Sequence, residues 1–323
     1  MKAIIWPKYS PPEVLQLEEV DEPAPADNEL LIKVVAANVF PGDCEMRRFQ
    51  MHPSLWLPIR IFMGIRKPRL KILGQELAGE IEAVGKDVTR FKSGDQVFGA
   101  TAMKLGAYAE YVCLPENYVL ALKPDDVSYE EASTLAVGGI HALHFLRKGN
   151  VKSGERILIY GAGGCIGTYA VQLAKLLGAE VTTVDSASKL DMLSDIGADH
   201  VIDYAEEDFS NNGIRYDVIF DVVGKSSYSR SLYSLQANGR YLMANVGLSV
   251  ILRGLWTSRF GDKKVIFALA NLNSEDLVYL SDLLVAGKIK SVIDRCYPLA
   301  QAADAHSYIE SGCKQGHVVL TVA

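Results

Sequence analysis

The stretch Arg156-Ile157-Leu158-Ile159-Tyr160-Gly161-Ala162-Gly163-Gly164-Cys165-Ile166-Gly167 decides the fold. A short apolar strand runs into a glycine-rich turn, and a helical pattern over 168–177 follows, which is the context a dinucleotide-binding loop requires. In that context Gly164 lets the backbone approach a pyrophosphate and Gly167 lets helix and strand pack closely. The helix start offers unpaired N–H groups and the positive end of a dipole to the phosphates. In the register ending at Gly167 the first glycine of the G-x-G-x-x-G pattern is replaced by Ala162, so the flanking strand and helix carry the reading.

Towards the C-terminus, strands are expected at 180–184, 201–202, 218–222, 239–244 and 265–269, with helices over 189–196, 227–235 and 274–286. Strands alternating with helices imply right-handed crossovers and a doubly wound parallel sheet, an α/β fold. The segment 248–264, carrying Arg253, Trp256 and Arg259, fits neither strand nor helix and reads as a mobile cover over a site.

Towards the N-terminus, Ser128-Tyr129-Glu130-Glu131 is a capping-box pattern that opens a helical segment reaching to about 148. Before it, alternating runs at 29–35, 79–85, 96–99 and 108–112, separated by Gly, Pro and Asp, read as a β-rich domain, with no helical period sustained before residue 128. The ending 316–322 is strand-like and is expected to rejoin that first domain.

A chain of 323 residues is long enough for two domains, and 49% hydrophobic with 22% charged residues excludes a disordered or fibrous chain. Lys+Arg of 33 against Asp+Glu of 39 gives a net charge of −6 without a long single-sign block, so neither nucleic acid nor membrane is expected as a partner. No apolar run approaches the roughly 20 residues of a membrane span, and the start does not read as a signal peptide; a cytoplasmic location is expected. The five cysteines are scattered and read as reduced thiols.

Five landmarks in order resemble the medium-chain dehydrogenase/reductase superfamily, in its zinc-free quinone oxidoreductase branch. They are Ala37-Asn38-Val39-Phe40-Pro41-Gly42-Asp43 with Arg47; Gly74-Gln75-Glu76-Leu77-Ala78-Gly79-Glu80; Gly106-Ala107-Tyr108-Ala109-Glu110-Tyr111-Val112; the glycine-rich turn with Ala170-Val171-Gln172-Leu173-Ala174-Lys175; and Gly197-Ala198-Asp199-His200-Val201-Ile202-Asp203-Tyr204. The resemblance spans essentially the whole chain. It implies a GroES-like catalytic domain, 1–125 plus 290–323, split around a Rossmann dinucleotide-binding domain, 126–289, with the active site in the cleft between them and a homodimeric assembly.

Zinc alcohol dehydrogenases of this superfamily place a Cys where this chain has Phe40 and a His where it has Gln75, and no Cys lies in 136–141, where the third ligand falls. Without sulfur or imidazole there a tetrahedral zinc site cannot form, so no zinc is expected. Alcohol oxidation then lacks the Lewis acid that stabilises an alkoxide, whereas hydride delivery to a quinone or an α,β-unsaturated carbonyl needs mostly orientation. The expected function is a zinc-independent NAD(P)H-dependent oxidoreductase acting on such small electrophilic acceptors. The alternatives are an NAD(P)-dependent alcohol dehydrogenase and a non-catalytic NADPH-binding redox sensor.

Cofactor residues implied by the turn and the resemblance are Gly163, Gly164, Cys165, Ile166 and Gly167, then Asp185, Ser186, Lys189 and Tyr204, and, at the ends of later strands, Asn245, Gly247, Ala270 and Asn271. Asp185 suits the ribose hydroxyls of NAD. Ser186, Lys189 and Tyr204 match positions that hold the 2′-phosphate of NADP, and the balance favours NADP(H) over NAD(H). Lys189 also reads as an exposed helix lysine and Tyr204 as a packed loop aromatic. Asn38 and His141 match positions beside the nicotinamide and are the catalytic candidates; Asn38 also suits a turn cap, and His141 a hydrogen-bonded core residue. Phe40, Trp56, Phe62 and Met63 offer an apolar substrate wall or, equally, core. Asp43 and Arg47 read as a structural pair or a turn acceptor.

Overall fold

A computed structural model of the chain describes residues 1–50, 53–245, 247–268 and 270–322, with backbone alone at 53–55 and 248. The chain divides into two compact units, Met1–Val137 with Leu272–Ala286 and Ile293–Ala323, and Gly138–Asn271 with Gly287–Val292.

The first unit is built on a sheet whose strands lie in the order Ile293–Pro298, His317–Thr321, Glu29–Asn38, Glu76–Val84, Gln96–Ala100 and Leu120–Leu122, with Tyr111–Pro115 also paired to Glu29–Asn38. Leu30, Ile32 and Val34 on alternate positions of Glu29–Asn38 are fully buried with Trp6, Leu77 and Val97, which is the period-2 pattern of a core-facing strand. Thr321 pairs with Ala36 and Val319 with Asn38, so the C-terminal strand closes on the N-terminal sheet.

The second unit is a six-stranded parallel sheet in the order His200–Asp203, Glu180–Asp185, Arg156–Tyr160, Tyr216–Asp221, Leu235–Met243, Lys264–Phe267. Numbered along the unit this is 3-2-1-4-5-6, and chain direction reverses its winding between Arg156–Tyr160 and Tyr216–Asp221. The carboxyl ends of those two strands therefore flank the crevice where such folds bind ligands.

Three stretches differ from the sequence expectation in the division of the chain. The expected capping box exists, Ser128 N–H donating to Glu131 Oε2 at 3.1 Å and Glu131 N–H to Ser128 Oγ at 3.2 Å, and the helical segment reaches Lys148 through the π-helix Leu135–Gly139 and the helix Ile140–Lys148; the first helix, opened by the box, is Tyr129–Ala132. That helix packs on Glu29–Asn38 and Glu76–Val84, which ties 126–137 to the first unit. Ser274–Val285 packs on Leu120–Leu122 and also goes with the first unit. Residues 290–292 stay with the second, where Gln172 Nε2 donates to Lys290 O at 3.0 Å and Lys290 N–H to Gln172 Oε1 at 2.8 Å.

Helices also occur where none was expected. Pro41–Arg48 and Pro53–Met63 precede residue 128, each led by a proline whose missing N–H is an orphan donor at that position anyway. The segment read as a mobile cover is the helix Leu248–Phe260, and Gly254 lets it lie close on Lys264–Phe267, since a Cβ there would stand 2.9 Å from Val265 Cγ1. Its apolar residues are spread around the axis, and Leu252, Leu255, Trp256 and Phe260 face water, which hides the helical period. The expected strand end Leu269 and the turn residue Val246 lie outside the described residues.

Candidate functional site

In the second unit, Arg156–Tyr160 ends at Gly161, whose φ of +79° only glycine adopts readily and whose added Cβ would lie 2.7 Å from Val223 Cγ1 on the neighbouring strand's loop. The helix Cys165–Leu176 starts directly after the extended Gly164, with no side-chain cap on its first N–H groups. A Cβ on Gly167 would stand 2.6 Å from Ala162 Cα, so only glycine permits this approach of helix to turn. A Cβ on Gly164 would meet nothing nearer than 3.7 Å. The two glycines therefore do different work: Gly167 closes the packing, and Gly164 keeps an open space in front of a helix N-terminus. A helix start without a side-chain cap, beside the open space at Gly164, suits the pyrophosphate of a dinucleotide. Cys165 is buried and Ile166 half-buried in the helix's first turn.

Asp185, at the end of Glu180–Asp185, is buried with both carboxylate oxygens occupied. Oδ2 accepts from Gly163 N–H at 2.7 Å; Oδ1 accepts from Ser186 N–H at 2.9 Å and lies 3.0 Å from Lys189 Nζ. The carboxylate thus braces the glycine-rich turn and holds the lysine, rather than standing free for ribose hydroxyls. Lys189 is not an exposed helix lysine; its side chain is 12% exposed. Tyr204 is exposed, and its N–H donates to Asp185 O at 3.2 Å, which brings it beside Ser186 and Lys189.

Tyr204 also lines a cavity of about 320 Å³ with Tyr160, Asp208, Phe209, Lys225 and Arg230. Sequence reading missed this cavity and the residue that shapes its wall, Asp221. The Asp221 side chain is wholly buried and accepts from Gly224 N–H at 2.7 Å, Ser226 N–H at 2.9 Å and Ser226 Oγ–H at 2.6 Å, folding the loop after the fourth strand. An Asp ending a strand three residues before a Gly is a turn signal that was available. Gly224, with φ +70°, packs against the backbone of Asn245, so the loops after the fourth and fifth strands touch. Gly247 caps Leu248–Phe260 in an extended conformation; Ala270 and Asn271 follow Lys264–Phe267 at the sheet's edge. His141 lies half-buried on Ile140–Lys148.

In the first unit, Asn38 is fully buried and its amide is satisfied on both sides. Nδ2 donates to Glu76 Oε2 at 2.5 Å, and Oδ1 accepts from His317 Nδ1 at 3.3 Å. Glu76 Oε1 in turn accepts from Val137 N–H at 2.6 Å. Three strands and the π-helix Leu135–Gly139 are clamped through the Asn38 amide and the Glu76 carboxylate, a link between residues distant in sequence that no local pattern announces. The alternative reading of Asn38, as a cap of the turn before Pro41, does not describe this arrangement.

That turn is held by Asp43 instead, which is buried and accepts from Phe40 N–H at 3.2 Å, Gln75 Nε2 at 3.3 Å and Tyr108 Oη at 3.2 Å. Burial pushes its carboxyl up to about 7, against these hydrogen bonds. Arg47, the partner expected for it, pairs with Glu310. Phe40 and Gln75 meet across Gly42, where an added Cβ would stand 3.2 and 3.1 Å from them. Among the described residues no group of three or more His, Cys, Asp or Glu converges as metal ligands do.

Phe62 and Met63 line one apolar cavity of about 240 Å³ with Trp6, Met46 and Leu105. Phe40 and Trp56 do not line it; Trp56 is exposed and meets the ring of Phe49 edge-on at 5.6 Å. The four residues expected to form one wall are therefore not gathered in one.

The chain matches the family model for the alcohol dehydrogenase GroES-like domain over residues 26–125 and that for zinc-binding dehydrogenases over 196–320. It is 33% identical to the 2-methylene-furan-3-one reductase of Solanum lycopersicum, over 99% of this chain and 79% of that protein. The quinone oxidoreductase from Coxiella burnetii superposes with a TM-score of 0.90 at 30% identity, covering 100% of this chain and 99% of that one. The Escherichia coli quinone oxidoreductase complexed with NADPH gives 0.84 at 28% identity, with both chains fully covered. The glycine-rich turn, the 3-2-1-4-5-6 sheet and these likenesses agree: the chain belongs to the medium-chain dehydrogenase/reductase superfamily, in its quinone oxidoreductase-like branch.

Proposed function

We propose that this protein is a zinc-independent NAD(P)H-dependent reductase of quinones or α,β-unsaturated carbonyls. The observation that carries the reading is the open space before Gly164 at the head of an uncapped helix, together with Phe40 and Gln75 at the positions of zinc ligands in related alcohol dehydrogenases. The names of the relatives, a furanone reductase and quinone oxidoreductases, support the acceptor class.

Bound nicotinamide cofactor supplies the hydride. The chain's own part is to hold that cofactor and to orient the acceptor. N–H groups at 165–167 bind the pyrophosphate, and the backbone at Asn245, Gly247, Ala270 and Asn271 borders the site beyond the carboxyl ends of the fifth and sixth strands. His141 is the side chain of the second unit suited to deliver the proton, solvent being the other source. NADP(H) is proposed over NAD(H): Ser186, Lys189 and Tyr204 are drawn together, and Asp185 is neutralised by Lys189 rather than left to repel a 2′-phosphate. The E. coli neighbour bound to NADPH supports the same choice.

A cytoplasmic homodimer is part of the proposal. The strand Lys264–Phe267 ends the parallel sheet, and Leu252, Leu255, Trp256 and Phe260 on the adjoining helix are exposed, a surface a second copy would cover. Oxidation of NADPH and NADH followed against a panel of quinones, enones and alcohols tests the reading. Turnover with quinones or enones is expected; activity restricted to alcohols, or tight cofactor binding without any turnover, overturns it.

A further inference from the structure

The net charge of −6 conceals an uneven distribution. Residues 46–75 contain seven cations, Arg47, Arg48, Arg60, Arg66, Lys67, Arg69 and Lys71, and no Asp or Glu. Arg47 and Arg48 are paired with Glu310, and Arg60 folds back over the Tyr9 ring at 3.8 Å with its Nε donating to Ile65 O at 2.9 Å. Arg66, Lys67, Arg69 and Lys71 remain, all exposed and none in an ion pair among the described residues.

Beside these cations lies a run of exposed apolar side chains. On the helix Pro53–Met63, Leu57 is 61%, Ile61 50% and Phe62 58% exposed, and Ile65 and Leu70 continue the patch in the turn that follows. Leu57 and Ile61 are one helical turn apart and share a face. Phe62, Leu70 and Met103, all exposed, border the same apolar cavity, which joins the helix end to the turn that follows.

We propose that Pro53–Met63 and the basic turn 64–71 dock this protein on an anionic lipid surface. Apolar side chains on one helix face with Lys and Arg alongside is the arrangement of a helix that lies in the membrane interface, its apolar side inserting by about 5–10 Å while the cations stay at headgroup level. Charge complementarity selects the occupant: four free cations with no neighbouring carboxylate in sequence repel basic surfaces and attract anionic headgroups, although the whole protein is acidic. No helix among the described residues is long and apolar enough to cross a membrane, so the contact is one of surface docking. The whole-chain charge balance, which argues against a membrane partner, averages this segment away. The inference uses no residue of the cofactor site, and although Phe62 is also one of the residues expected to form a substrate wall, the residues altered in its test are not among them.

Sedimentation of the full chain with phosphatidylcholine vesicles, with and without about 40% phosphatidylglycerol, tests it. The protein is expected to sediment with the anionic vesicles at about 0.05 M salt and to be released at about 0.5 M. The triple variant Arg66→Ala/Lys67→Ala/Lys71→Ala is expected to bind about 100-fold more weakly. Leu57→Ser/Ile61→Ser loses on the order of tenfold. Both should retain the wild-type melting temperature and NADPH oxidation rate with a water-soluble quinone, because the altered side chains are exposed. A wild type that stays in the supernatant with anionic vesicles at low salt overturns the proposal, as does binding that neither variant weakens. A solution dimer that becomes a monomer in Leu57→Ser/Ile61→Ser, without vesicle binding, assigns the face to a second copy instead.

Discussion

Lys189 Nζ lies 3.0 Å from Asp185 Oδ1, and both side chains are almost wholly shielded from water. The same carboxylate accepts the Gly163 N–H, so one residue fixes the glycine-rich turn and restrains the only lysine of the loop. Cofactor preference then depends on how readily a 2′-phosphate takes Lys189 from Asp185. Asp185→Ala is expected to raise NADPH affinity about tenfold relative to NADH, corresponding to roughly 1.4 kcal/mol, in a fluorescence titration of both cofactors. It should also lower the melting temperature, because Gly163 N–H loses its acceptor at a cost of about 1–3 kcal/mol. Unchanged relative affinity would mean that Lys189 takes no part in cofactor choice.

The two glycines of the turn separate binding from folding. Gly164→Ala places a methyl group in open space, so the protein should melt as wild type while cofactor affinity falls by at least about tenfold, the cost of pushing the pyrophosphate off the backbone. Gly167→Ala drives a methyl group into Ala162 and should destabilise the protein by roughly 1–3 kcal/mol. Melting curves with and without NADPH distinguish the two; equal loss of stability in both variants contradicts the assignment.

Asn38 offers a similar test. If its amide serves as the clamp seen between Glu76 and His317, Asn38→Ala strands a buried carboxylate oxygen and lowers stability by about 2–4 kcal/mol. A side chain used only to touch a ligand would leave chemical denaturation unchanged and raise KM. Measuring both in the same variant decides between positioning and contact.

What could be read in advance divides along the range of the interactions. The glycine-rich turn and the alternating strands of the second unit were legible because each rests on neighbours in sequence: Gly161, Gly164 and Gly167 act within one turn, and the capping box of Ser128 and Glu131 spans three residues. The helix Pro53–Met63 was not, since Pro58 within it argues for a break and most of its apolar side chains, Trp56, Leu57, Ile61 and Phe62, face water instead of a core. Leu248–Phe260 failed for the same physical reason. The clamp of Asn38, Glu76 and His317 was beyond local reading, because its members are 38 and 279 residues apart and meet only when the sheet closes.

His306 and Asp43 make the pH dependence of stability a distinguishing measurement. His306 Nδ1 accepts from Arg47 Nε at 3.2 Å, and burial, with the adjacent guanidinium, depresses its pKa from 6.5 to about 3. A group depressed on folding stabilises above its unfolded pKa, and that stability is lost as pH falls from about 6.5 towards 3. Asp43 is raised from 3.8 to about 7 by burial, so its contribution is fully present below about 4 and is lost as pH rises to 7. Between about pH 4 and 6.5 the two slopes are opposite and of similar size, and the pair together leaves the unfolding free energy nearly flat. His306→Gln removes one slope and keeps an acceptor for Arg47. Its stability relative to wild type is therefore expected to fall by about 1.4 kcal/mol for each pH unit gained across that window, followed by urea unfolding at several pH values. Parallel profiles for the two proteins would show that the buried imidazole already carries a proton in the folded state.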